Sequence, residues 1–292
     1  MRSFQNLDHR AHRAACGLAV LVLFASTGRA QEPAAGAREA IAVDAGLEVV
    51  SAYVFRGVRQ NSTGVATWPS VNVGIAAYSG DGPLKRIVVG AGFWNSLQNG
   101  DTGSSGPVGK AWYESRVAGS VAFELGSRVV VGASYTAYTS PNDLFSTVKE
   151  IGLNVALHDD LTRSVAFNPH ALVSFEVGAA PGVGQLDGGL HAGRYIELGA
   201  TPRYSMRRAT VTIPVRVGLS LGDYYELAGR DHTFGFVGVG ALVTAPIGRR
   251  STIGEWNVHG GVEIQAFGET TKVFNGGDRS KVIASFGVGL RR

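Results

Sequence analysis

The groups with which this chain could do covalent or metal chemistry are seven histidines, one cysteine and 23 carboxylates spread over 292 residues. A hydrolase needs its nucleophile within hydrogen-bond reach of a base, and on a strand that means neighbours two apart on one face. His170 has Leu172 in that place. His259 is followed on its own face by Gly261 and Glu263, and two residues four apart on a strand are about 13 Å apart. Asp223, Glu226, Asp231 and His232 share one segment and could form an Asp/His site at a rim. Acidic, glycine-containing loops of this kind are ordinarily solvated. No two histidines have a spacing suited to Zn²⁺. GVGQLDGG lacks the strand-to-helix context of a phosphate cradle. These residues predict a protein that is not an enzyme, with no catalytic, cofactor-binding or metal-ligating residues and no cofactor.

The elements that carry these residues begin after an export leader. Arg2, Arg10 and Arg13 form a basic start, Ala14 to Ala25 is apolar, and Gly28-Arg29-Ala30 has the small residues a signal peptidase reads, so residues 1–30 are expected to be a signal peptide. About a dozen apolar residues are too few for a spanning helix, which needs ~20. Cys16 leaves with the leader, which excludes a disulfide scaffold. Four arginines (Arg2, Arg10, Arg13, Arg29) and Asp8 leave too, and the formal charge of +4 falls to about +1. A near-neutral chain offers no surface for nucleic acid, so no nucleic acid is expected among its partners.

Past residue 30, helical periodicity gives way to alternation. Val211, Ile213, Val215, Val217, Leu219 and Leu221 face one way; Thr212, Pro214, Arg216, Gly218 and Ser220 face the other. The same parity holds for Val282 to Leu290 against Ile283 to Arg291, for Tyr113, Val117, Val121 and Phe123 against Glu114, Arg116 and Ser120, and for Lys149 to Leu157 against Glu150, Gly152 and Asn154. Twelve strands are expected: 41–56, 67–78, 85–96, 110–124, 128–138, 147–157, 165–177, 190–205, 210–221, 233–245, 255–267 and 281–291. Most are long enough to cross a bilayer at a tilt, which takes about 9–11 residues. Residues 31–40 are expected to be a short periplasmic lead-in and 41–292 the barrel domain. Pro169, Pro202 and Pro214 fall inside these strands, where each removes a ladder donor, so breaks or bulges are expected there.

The connections tend to alternate long and short, the longer ones rich in Gly, Asp and Asn, as in outer-membrane barrels with external loops and tight periplasmic turns. Alternation alone does not decide which face is inside, because a soluble sandwich shows it too. Strand length, small residues on the polar face and aromatics at strand ends favour a membrane barrel. Tyr53, Phe55, Phe93, Trp94, Trp112, Tyr113, Tyr135, Tyr138, Tyr224, Tyr225 and Trp256 are expected to form interfacial girdles. On this reading Asp44, Glu48, Arg56, Glu114, Arg116, Glu150, Glu176, Glu197, Arg203, Arg216 and Glu263 point into the lumen. Glu114, Arg116, Glu150, Glu197, Arg203 and Arg216 are the candidate selectivity residues. The fold class expected is an all-β, transmembrane, antiparallel up-and-down barrel of about twelve strands.

The segment SAYVFRGVRQ, residues 51–60, resembles the SxYxFRGxxQ signature of TorF-type porins, a family of bacterial outer-membrane proteins. WPSVNVGIAAY and GAGFWNSLQ resemble that family's second and third strands, and PVRVGLSLGDYYE and GEWNVHGGVEIQAFG resemble late strands of related barrels. The C-terminal Gly289-Leu290-Arg291-Arg292 departs from the aromatic ending that barrels often carry. The resemblance implies an outer-membrane barrel with transport activity and no particular substrate. The expected function is passive diffusion of small hydrophilic solutes. The expected partners are those solutes, outer-membrane lipid and lipopolysaccharide, and the barrel-insertion machinery. A structural or adhesive barrel without conductance, a periplasmic or secreted ligand-binding β-domain and an outer-membrane hydrolase are the alternatives.

Overall fold

A computed structural model describes residues 40–292 except 62, 101–109, 160–161, 163, 179–188 and 249–250. The leader and most of the lead-in therefore lie outside the described residues, as does most of GVGQLDGG.

Twelve antiparallel strands close on themselves. They are β1 (Ile41–Val50), β2 (Ala66–Ser79), β3 (Leu84–Gln98), β4 (Trp112–Leu125), β5 (Val129–Thr139) and β6 (Val148–Leu157). Then come β7 (Val165–Ala166 and Pro169–Glu176), β8 (Arg194–Ala200 and Arg203–Ser205) and β9 (Thr210–Thr212 and Val215–Gly222). The last are β10 (Phe234–Ile247), β11 (Glu255–Phe267) and β12 (Ser280–Arg291). Each pairs with its chain neighbours, and β1 pairs with β12 from Asp44 opposite Arg291 to Val50 opposite Ser285. That last pairing removes the free edges an open sheet would leave.

Five strands carry proline and three of them are broken in two; Pro69 in β2 and Pro246 in β10 lie in continuous strands. Pro169, Pro202 and Pro214 sit at or beside the breaks on three adjacent strands. The broken ladder is bridged locally: the Thr201 N–H bonds to the Phe167 and Asn168 carbonyls, Ile213 N–H to the Pro202 carbonyl and Gly240 N–H to the Pro214 carbonyl. On β7 the Asp159 carboxylate accepts the N–H groups of Phe167 and Asn168 at 2.7 and 2.6 Å.

The two rows of side chains part across the wall. Leu47, Val71, Val117, Leu153, Val155, Leu198, Val215, Val262 and Phe286 are outside, with Val117 at 58% and Phe286 at 60% exposure. A soluble protein of this size rarely exposes so continuous an apolar surface. Inside stand Glu114, Arg116, Glu124, Thr136, Glu150, Ser174, Glu176, His259, Glu263 and Gln265, all buried. Glycine makes room for them. At Gly199, Gly238 and Gly287 a Cβ would overlap His170, Glu263 and His259 respectively.

The register shifts at several bulges, and two of them reorient aromatic rings near the inward-turned segment. Between β3 and β4, Ser96 faces Glu114 and Leu97 faces Trp112, so Tyr113 is the extra residue and its ring is buried instead of following Val117 outward. Between β9 and β10, Gly218 faces Phe236 and Leu219 faces Phe234, which leaves Gly235 unpaired and turns Phe234 outward. A one-turn helix, α1 (Glu269–Phe274), lies in the last connection, where no helix was expected.

Candidate functional site

The first strand does not run to residue 56. It ends at Val50, and residues 51–61 turn into the barrel. Val54–Phe55 and Val58–Arg59 pair as a two-rung hairpin with Arg56 and Gly57 at its tip. Both tip residues have positive φ, 47° and 82°, as a tight two-residue hairpin turn requires. Glycine suits its position twice over, because a Cβ at Gly57 would also crowd the Phe236 ring. Arg56 adopts a backbone that costs a side-chain-bearing residue about 1 kcal/mol or more, and its contacts offset that cost.

The Arg56 head group lies between β6, β7 and β8. Its Nη1 and Nη2 donate to the two Glu150 oxygens at 2.6 and 2.9 Å. Nη1 also donates to the Tyr224 hydroxyl at 2.9 Å, and Nη2 to Ser174 Oγ at 3.1 Å. The guanidinium is 4.1 Å from the Tyr195 ring centre, with Phe55 and Tyr224 at 5.0 and 5.3 Å. Arg56 is 2% and Glu150 3% exposed. The rest of the segment is pinned by side chains that complete its backbone bonds. Tyr225 Oη donates to the Arg56 carbonyl at 2.9 Å, Asn275 Nδ2 donates to the Gly57 carbonyl at 2.8 Å, and Asn275 Oδ1 accepts the Arg59 N–H at 2.7 Å. Asn61 Oδ1 accepts the Tyr53 N–H at 2.7 Å.

A second charged cluster lies beside the first. Arg116 donates through Nε to Glu114 and through Nη2 to the Tyr53 hydroxyl, which itself donates to the other Glu114 oxygen at 2.8 Å. The Arg116 guanidinium sits 4.3 Å from Trp94, 4.5 Å from Phe55 and 4.9 Å from Tyr138. Phe55 is thus held between two guanidinium groups. In a third cluster Arg216 Nη2 donates to Glu263 at 2.6 Å and Nη1 stands 3.9 Å from Glu197, which also accepts the Tyr195 hydroxyl at 2.8 Å.

Of the six candidate selectivity residues, five belong to these clusters: Glu114 with Arg116, Glu150 with Arg56, and Glu197 with Arg216. Arg203 stands apart, half-buried on the lumen side of β8 toward the rim that carries the termini. The residue missing from that set is Arg56, placed by sequence on a strand wall and found at the tip of an inward hairpin. Its signal was the strand-breaking Gly57 next to it.

The aromatic girdle is corrected. Tyr53, Phe55, Trp94, Tyr113, Tyr138, Tyr224 and Tyr225 are buried and pack on one another inside the barrel. Tyr53 lies 5.3 Å from Trp68 and 5.6 Å from Trp94, and Tyr195 lies 4.9 Å from Tyr224. Phe93, Tyr135 and Trp256 remain on the outer surface.

At the far rim Glu226 accepts the N–H groups of Leu190 and His191 at 2.8 and 3.0 Å, and His191 Nδ1 is 3.0 Å from its other oxygen. Burial opposes the Glu226 charge, but these hydrogen bonds hold its carboxyl below the ordinary range. The hydrogen bond to Glu226, then its charge, raises the His191 imidazole above its usual value. His191, Asp223 and Glu226 could each aim one atom at a common point, within 4.8 Å of one another. Both Glu226 oxygens are already engaged and Arg194 lies 3.6 Å from Asp223, so the arrangement is a hydrogen-bonded rim. Because the folded imidazole value is raised, the contact is fully present below the unfolded value of about 6.5 and is lost as pH rises through the folded one. Trypsin cleavage after Arg194, normalised to the His191→Ala variant, is expected to rise over that window and to be flat below it.

No protein-family model matches the chain, and no curated protein matches it in sequence. Solved structures do match it. The COG4313 outer membrane channel from Pseudomonas putida F1 is 11% identical over 88% of this chain and 97% of that one, with a TM-score of 0.51. The NanC porin is 13% identical over 86% and 99%, with a TM-score of 0.48. The KdgM porin, solved in complex with disordered oligogalacturonate, is 7% identical over 85% and 98%, with a TM-score of 0.42. The chain has the fold of a porin-like outer-membrane barrel. At these identities the likeness carries architecture alone, and the argument for architecture rests on the first of the three together with the closed twelve-strand ladder.

Proposed function

We propose that the protein is an outer-membrane channel for small hydrophilic solutes, whose opening is narrowed by the inward hairpin of residues 51–61. The observation that carries this reading is the division of the wall: apolar side chains outside, charged and hydroxyl side chains inside. A charge facing lipid at mid-depth costs about 2–4 kcal/mol, so one-sided placement of so many charges fits a bilayer outside and water within. On this reading the termini face the periplasm, the hairpin hangs from the external rim, residues 1–30 are a cleaved leader, and the segment Ser51 to Gln60 marks a TorF-type porin. Lipopolysaccharide meets the outer wall, the insertion machinery assembles it, and Glu114, Arg116, Glu150, Glu197, Arg203 and Arg216 set ion preference. A structural barrel without conductance is the second reading, favoured by the buried hairpin.

Planar bilayers separate the two. Refolded protein, its folded state checked by heat-modifiable gel migration, is expected to give small conductance steps. Absence of steps at every voltage, both for the native chain and for a variant with the hairpin released, would leave the structural reading. Arg203→Glu is expected to move the reversal potential toward cation preference. Arg203 is the informative choice because it lies outside the three clusters around the hairpin, whereas reversing Arg116 would set two carboxylates side by side at Glu114 and disturb the Tyr53 contact that anchors the hairpin. An unchanged reversal potential would remove Arg203 from the solute path.

A further inference from the structure

Arg56 is carried by a segment that is not part of the barrel ladder, yet the wall is built around its head group. Glu150 on β6, Ser174 on β7, Tyr195 on β8 and Tyr224 beyond β9 come from four separate stretches of chain. All four are buried. They present two carboxylate oxygens at 2.6 and 2.9 Å, two hydroxyls at 2.9 and 3.1 Å, and an aromatic face at 4.1 Å. A planar cation with a fork of N–H groups fits such a set, and a point-charge ammonium does not. Arg56 Nε, which joins the head group to its stem, has no hydrogen-bond partner. Recognition is therefore confined to the two terminal nitrogens, which every monosubstituted guanidinium presents.

We infer that the Glu150, Ser174, Tyr195 and Tyr224 pocket is a binding site for monosubstituted guanidinium solutes, with Arg56 as its tethered occupant. That such a solute would displace Arg56 and free the hairpin during passage rests on the channel reading; the binding site itself does not. A group on a flexible tether acts at an effective concentration of the order of millimolar, and here the bonds from Tyr225 and Asn275 hold the hairpin in place as well, so a free solute competes poorly with Arg56 in the native chain. Removing the Arg56 side chain vacates the site.

The test is binding of methylguanidinium to the full-length, refolded protein in detergent, read by calorimetry and by the unfolding temperature on heat-modifiable gels. Arg56→Ala is expected to bind it at millimolar concentration and to recover part of its lost thermal stability as the concentration is raised, while the native chain responds at least about tenfold more weakly. Methylammonium is expected to bind about tenfold more weakly. Adding Glu150→Gln to Arg56→Ala is expected to abolish the recovery. Equal response of native and Arg56→Ala protein, or equal binding of the two cations, would overturn the inference. Arg56→Met, which keeps the apolar stem, covers poor folding of the alanine variant. Refolding of these variants only when methylguanidinium is present supports the site, and refolding in neither condition overturns it. Because binding is read without a membrane, its failure and a failure of conductance are separate results.

Discussion

Glu150→Ala is expected to release the inward hairpin while the barrel stays folded. Removing one partner of a buried ion pair ordinarily costs about 3–5 kcal/mol, since the other charge is left unpaired in a poor solvent. In this protein the stranded charge has a way out. Glu150 and its neighbours belong to the ladder, but Arg56 sits on a two-rung hairpin, so the cheaper response is for the hairpin to leave and Arg56 to meet water. Only the hairpin tip, residues 56–59, needs to swing out: it would break its bonds to Tyr225 and Asn275, each worth about 1 kcal/mol, while Tyr53, Val54 and Phe55 keep their packing in the barrel, so the loss stays below the cost of staying. The readout is double. Trypsin, which is expected to spare buried Arg56 in the native barrel, should cut after Arg56 and Arg59 in the variant, and bilayer conductance should rise. Glu150→Gln keeps an acceptor and most of the shape, so its effect should have the same sign and be smaller. Glu176→Ala removes a lumenal carboxylate that accepts the Gly193 N–H at 2.7 Å and is not one of the Arg56 partners, and it should leave trypsin cleavage at Arg56 unchanged. Unaltered cleavage and conductance in Glu150→Ala would mean that the hairpin is held by its backbone and aromatic contacts instead of by this pair.

The wall of the barrel was legible in the sequence and its filling was not, for one physical reason. Alternation reports which face a strand residue takes, so runs such as Val211 to Leu221 and Lys149 to Leu157 give the wall directly. It does not report where a strand stops. Tyr53 and Phe55 stay in step with Leu47 and Val49, and Arg56 with Asp44 and Glu48, so up to residue 56 the pattern does not separate this segment from the strand. The break is made by two successive positive-φ residues, of which glycine advertises itself and arginine does not. Aromatic residues carry the same ambiguity: a ring near a strand end can sit at a headgroup or fill a lumen. Tyr113 adds a third limit, because one bulged residue reverses the parity on which its assignment to the outer face depends. Pro169, Pro202 and Pro214, by contrast, did mark their breaks, although Pro69 and Pro246 sit in continuous strands, so a missing N–H weakens a ladder without always interrupting the strand.

Leu153→Arg tests the division of the wall itself and should carry the second largest effect. Leu153 is near the middle of β6, faces Ala133 on one side and Val173 on the other, and is 49% exposed on the outer surface. If that surface meets hydrocarbon, arginine there costs about 2–4 kcal/mol, measured as the loss of unfolding free energy in urea titrations of protein refolded into lipid vesicles. Asn154→Asp places a charge of opposite sign one residue along, on the inner face opposite Gly132. With water and polar neighbours inside, its cost should stay below about 1 kcal/mol. The contrast matters more than either value, since both changes lie at the same depth. In a water-soluble barrel the order would invert: Leu153→Arg would add a solvated surface charge at little cost, and Asn154→Asp would bury an unpaired carboxylate in the interior. Equal effects, or that inverted order, would place water against Leu153 and remove the membrane from the account of this fold.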